Sequence, residues 1–332
     1  MRVISFIKYT LVTGLSLLAA SCYRETDLDH YRDDNGSNLL TVNSLVTPDS
    51  TIQLMATRTY FFSDEHNERT YVRNLDVDVT INSETAGRMT YDASRNLYVS
   101  DVKVASGNRV AIHTRYSGNE VEAHDTVPSP VGIENLTVTR HGPVSIYTNN
   151  DYIFTYNLTF TDPAGEEDYY FLQWDAADRA QDLTMGERNF THEYVFQQLA
   201  NQIHSTLPGW EPYSPYGLPF SDKGIEGKQH TLELQEIVQM PKGSPLWSCT
   251  RMKRRFKLYT LSKPYYNYLV SILINQTNNK GLEGGMIDLG LADPTKVYSN
   301  INGGVGILGC YTTATTEIDP FEIVGPFPQT IN

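Results

Sequence analysis

The chain has 332 residues and a net charge of −13, from 39 acidic against 26 basic residues. A surface of that sign repels nucleic acid and anionic lipid headgroups, which excludes both as partners of its folded body. With 40% hydrophobic residues, the length suits two domains of ordinary size.

The N-terminus sets the compartment. Arg2 and Lys8 form a short basic region, and Tyr9–Ala20 is uncharged and mostly apolar. About a dozen apolar residues are too few to span a bilayer core of roughly 30 Å, but they suit the apolar region of a secretory signal. The segment ends in Leu17-Leu18-Ala19-Ala20-Ser21-Cys22, which resembles a lipobox. Residues 1–21 are therefore read as a lipoprotein signal peptide. Cys22 is read as the lipidation site, carrying a diacylglycerol and an amide-linked acyl chain such as palmitate. At about 0.8 kcal/mol per buried methylene, several chains give a stable anchor in outer-membrane lipid. Cleavage removes two basic residues and no acids, taking the net charge from −13 to −15. Residues 22–38 are charged and poor in apolar side chains, as expected of a flexible acidic tether.

Two further cysteines, Cys249 and Cys310, lie 61 positions apart. An exported compartment permits a disulfide between them. Two buried thiols are equally compatible with that spacing.

From Leu39 the pattern is that of strands: Leu39–Thr47, Thr51–Phe62, Val72–Asn82, Gly87–Tyr91, Leu97–Asp101, Arg109–Tyr116 and Glu120–Val127. The alternation is clearest in Leu75–Ile81, whose apolar residues take the odd positions of a half-buried strand. About seven short strands with turn residues between them predict an immunoglobulin-like β-sandwich over residues 39–130. Pro128-Ser129-Pro130 marks the boundary. Residues 131–332 are read as a larger β-rich domain with one or two helices, making the chain mainly β. Its expected strands are Ile133–Thr139, Tyr152–Phe160, Tyr169–Trp174, Leu232–Val238, Phe256–Leu261 and Tyr311–Ile318. Asp162-Pro163-Ala164-Gly165 has turn chemistry and predicts a hairpin between the second and third of these. Asn189–His204 is read as a short helix. Ser262-Lys263-Pro264 opens a clearer one, with an N-cap serine and a first-turn proline, ending by Asn275–Gly281.

Three stretches invite chemical readings. Gly304–Gly309 spells G-x-G-x-x-G, but the residues after it do not favour a helix, and too little chain remains for a nucleotide-binding βαβ unit. No cofactor is expected. Gly303, Gly304, Gly306 and Gly309 are read as structural glycines that allow positive φ and close backbone approach at a turn. Asp162 with Glu166-Glu167-Asp168 offers oxygens suited to calcium, yet a solvated turn is the favoured reading and no metal site is assigned. Leu207–Phe220 holds four prolines and is read as an irregular loop, with Trp210, Tyr213, Tyr216 and Phe220 as candidate binding aromatics. No G-x-S-x-G nucleophile motif occurs, and no catalytic residue is assigned.

In order along the chain stand E-T-D-L-D (Glu25–Asp29), L-L-T-V-N-S-L-V-T-P-D-S (Leu39–Ser50), D-T-V-P-S-P-V (Asp125–Val131), L-P-F-S-D-K-G-I-E-G-K (Leu218–Lys228), the tyrosine-rich Tyr265–Leu273, and V-Y-S-N-I-N-G-G-V-G-I-L-G-C-Y (Val297–Tyr311). Together they resemble the Bacteroidota outer-membrane lipoprotein family of domain of unknown function 4249, over essentially the whole mature chain. The resemblance implies a non-enzymatic lipoprotein facing the cell surface, acting as binding accessory of a TonB-dependent nutrient transporter; it identifies no ligand and supplies no catalytic residues. The competing expectation is a fimbrial or adhesive structural subunit.

Overall fold

The computed structural model describes residues 38–60, 70–147, 151–177, 186–190, 193–202, 217–239, 253–278 and 296–325. Strands β1 (Leu40–Val46) and β2 (Ile52–Arg58) form because apolar residues alternate along both. Leu40, Val42 and Val46 of β1, and Ile52, Leu54 and Ala56 of β2, are buried on one face. The two pair antiparallel, and β6 (Leu97–Ser100) and β5 (Thr90–Asp92) extend the sheet. Opposite them lies a four-stranded sheet in the order β4 (Glu84–Arg88), β3 (Asp78–Ile81), β7 (Arg109–Tyr116), β8 (Asn119–Thr126). The β7–β8 turn places Ser117 and Gly118 at φ 50° and 86°, the positive values a two-residue hairpin turn demands.

Only the second half of the alternating run Leu75–Ile81 is ladder-paired. Upstream, the Tyr98 hydroxyl stands in for a neighbouring strand: it accepts from the Leu75 N–H at 3.0 Å and donates to the Val72 carbonyl at 2.9 Å.

The second half of the chain builds another pair of sheets. One has the order β12 (Glu187–Asn189), β14 (Gln229–Gln239), β10 (Asp151–Thr161), β9 (Asn135–Val144). Facing it are β13 (Leu218–Ser221), β11 (Tyr169–Ala176), β15 (Arg254–Leu261) and β16 (Val305–Ile318). Their core is aromatic: Trp174 stacks on Phe256 with ring centroids 5.3 Å apart, and Tyr156 meets both rings at 5.2 Å. The hairpin expected across Asp162–Gly165 is not formed. β10 pairs with β9 and β14, whereas β11 pairs with β13 and β15, so the turn carries the chain from one sheet to the other. Turn residues reverse the chain without specifying which edge it joins.

The last strand joins the two halves. Residues Val305–Cys310 of β16 run parallel to Thr41–Val46 of β1, and Tyr311–Ile318 pair antiparallel with Leu261–Arg254 of β15. One eight-stranded sheet, β13-β11-β15-β16-β1-β2-β6-β5, thus backs both four-stranded sheets. The apolar residues separate into two cores. One comprises residues of 40–127 together with Ile301, Leu308 and Cys310, and the other residues of 131–318.

Three helices complete the described residues: α1 (Tyr194–Gln202), α2 (Lys263–Asn278) and α3 (Pro320–Val324). α2 begins where the sequence places it. The Tyr265 N–H donates to the Ser262 hydroxyl at 3.4 Å and the Tyr266 N–H to the Ser262 carbonyl at 3.0 Å.

The facing sheets of the second half are bound by a buried ion pair. Arg254, 1% exposed, donates from Nε and Nη2 to the two carboxylate oxygens of Glu236, 0% exposed, both at 2.9 Å. The Tyr156 hydroxyl and the Gly186 N–H donate to the same carboxylate, each at 2.9 Å. Burial works against the guanidinium charge, but Glu236 outweighs it and raises the Arg254 pKa. Arg254→Met strands a buried carboxylate and is expected to cost about 3–5 kcal/mol in urea unfolding. The double variant Arg254→Met/Glu236→Leu should recover part of that loss, because no uncompensated charge remains.

Candidate functional site

The glycine-rich stretch turns the chain into β16 at Gly303 and Gly304, and it is also a backbone junction. Gly303 has φ +75° and Gly306 φ +115°. A methyl group on Gly303 would collide with the Glu120 carbonyl of β8, and one on Gly306 with the Val42 carbonyl of β1. At Gly304 the added carbon would lie 2.6 Å from the Leu40 carbonyl, and at Gly309 2.9 Å from the Tyr265 ring of α2. All four glycines therefore mark places where β16 and its lead-in press on other elements.

Polar side chains fasten the same stretch. The Asn300 side-chain amide donates to the Leu308 carbonyl at 2.8 Å and accepts from the Leu308 N–H at 3.0 Å. It thereby satisfies the flank of β16 at a level where β15 has not yet begun to pair. Asn302 bridges to Glu122 on β8 through both backbone and side chain. The Tyr298 N–H donates to Ser271 of α2 at 2.8 Å.

At the far end sits Asp125, 5% exposed, on β8. Its Oδ2 accepts from the Cys310 N–H at 2.7 Å and from the Ser262 hydroxyl, and its Oδ1 from the Thr126 N–H at 2.8 Å. Burial pushes its pKa up to about 6, against the pull of those donors. One carboxylate thus joins the first half of the chain, the cap of α2 and β16. Cys310 is a free, buried thiol, its pKa raised by burial and by Asp125; Cys249 lies outside the described residues.

A second polar centre forms where β10 crosses to β11. Asp162, Asp168 and Asp222 each offer a carboxylate oxygen, all within 4.8 Å of one another. The turn itself is solvated, residues 163–167 being exposed, but it sits against two buried carboxylates: Asp162 is 1% and Asp222 3% exposed. Glu166 and Glu167 do point to solvent. Asp162 accepts from the Tyr170 hydroxyl at 2.6 Å and from the Gly227 N–H at 2.8 Å; Asp222 accepts from the Asp168 N–H at 2.9 Å. Asp168 is less well supported. Burial, then the charges of Asp162, Asp222 and Glu166, push its pKa up to about 6. Three clustered carboxylates are oxygen ligands of the kind a hard divalent cation takes. Asp222 was invisible as a member of this group, because it lies 54 positions from Asp168 and only the fold brings S-D-K-G-I-E-G-K beside the crossover.

Of the candidate aromatics, Trp210, Tyr213 and Tyr216 lie outside the described residues. Phe220 is corrected to a core residue. It is 1% exposed on β13 and packs against Tyr170 at 5.2 Å and Phe196 at 5.2 Å. Regular structure begins at Leu218 despite Pro219, because β13 is an edge strand and proline is tolerated there.

The family model described as Domain of unknown function (DUF4249) matches residues 25–317. Comparison with curated proteins gives no match. Among solved structures, the chain is similar to a glycosyl hydrolase family 2 member from Bacteroides cellulosilyticus DSM 14838. The identity is 13% and the TM-score 0.18, over 64% of this chain and 23% of that one. A likeness at that score carries no argument about activity.

Two variants test these centres. Gly306→Ala forces a side chain into strained φ and against the Val42 carbonyl, and should destabilise the fold by more than about 2 kcal/mol in denaturant unfolding. Asp168→Asn tests the acidic cluster. A folded pKa raised above the unfolded value means that ionisation penalises the folded state: the penalty is absent below about pH 4, grows as pH rises, and is complete above about pH 6. The variant should therefore melt higher than wild type at pH 7.5, with the difference closing by pH 4. A variant that melts lower at pH 7.5 would show that this carboxylate is instead held by a cation or a donor.

Proposed function

We propose that this chain, which belongs to the family defined by Domain of unknown function (DUF4249), is a lipid-anchored outer-membrane protein facing the cell surface. In this reading it is a non-enzymatic binding accessory of a TonB-dependent transporter that imports a nutrient. The observation that carries the anchor is Leu17–Cys22, with its apolar run before it and its charged tether after it. Strand β1 begins at Leu40, close behind the tether. No helix among the described residues is long and apolar enough to cross a membrane.

The polar groups described so far suit a binding body better than a catalyst. The Ser262 hydroxyl donates to Asp125 while it caps α2, so this buried serine–carboxylate pair is occupied in docking. A fimbrial subunit of the strand-exchange type needs a slot open to its neighbour. Beside β1 that place is filled by β16 of the same chain, which supports the accessory reading over the adhesive one.

Cys22→Ala should abolish acyl labelling and move the protein from the membrane to the soluble periplasmic fraction. Continued labelling would overturn the lipoprotein reading. Mild solubilisation of native outer membranes should recover the protein with a transporter, and recovery of the protein alone counts against the accessory role.

A further inference from the structure

We draw no further inference here: the strongest candidate, the side-chain cluster of Asp162, Asp168 and Asp222 where β10 crosses to β11, rests on carboxylates alone, and among the described residues no second feature points to a cation that would fill it.

Discussion

Everything in the fold leans on the approach of β16 to β1. Two backbones lie so close at Gly306 that its missing side chain is a steric requirement, and the parallel ladder Thr41–Val46 with Val305–Cys310 depends on that closeness. Without this ladder the eight-stranded sheet divides between β16 and β1. The first core would then lose Ile301, Leu308 and Cys310, and the two halves would lose the Asp125 connection. The first half is not closed by its own residues alone.

That dependence shapes folding as well as stability. The paired segments are more than 250 residues apart in sequence, so their ladder must overcome a large loop-closure entropy before it contributes. The first half cannot complete its core until nearly the whole chain is available. The local devices along the way reduce the search. Asn300 shields the open flank of β16, Asn302 registers the lead-in on β8, and Ser262 holds the cap of α2 against the same carboxylate that receives Cys310.

Local physics was legible in the sequence; partnership was not. Runs of apolar and β-branched residues bounded by turn residues located β1, β7, β8, β10 and β15 to within a few residues. The α2 boundaries followed from Ser262, Pro264 and the asparagines at its end. By contrast, nothing in Asp162–Gly165 says that β10 and β11 part into opposite sheets, and nothing in Phe220 distinguishes a surface anchor from a core ring. The glycines of Ser299–Gly309 were recognisable as conformationally special, but their reason, four separate collisions with other elements, exists only in three dimensions. Asp222 and Asp168 meet for the same reason, across 54 positions of chain.

The parallel arrangement of β1 and β16 also decides how the molecule bears mechanical load. If the chain is anchored through its N-terminal segment as proposed above, a pull enters the described body at Asn38, just before β1. That strand is held by β16 on one flank and β2 on the other, and the interstrand hydrogen bonds lie across the direction of pull. Such a load shears all of the bonds together, whereas a load applied across a strand end would peel them one by one. In the anchored reading proposed above, a body tugged from outside would thus meet the force at the ladder between β1 and β16.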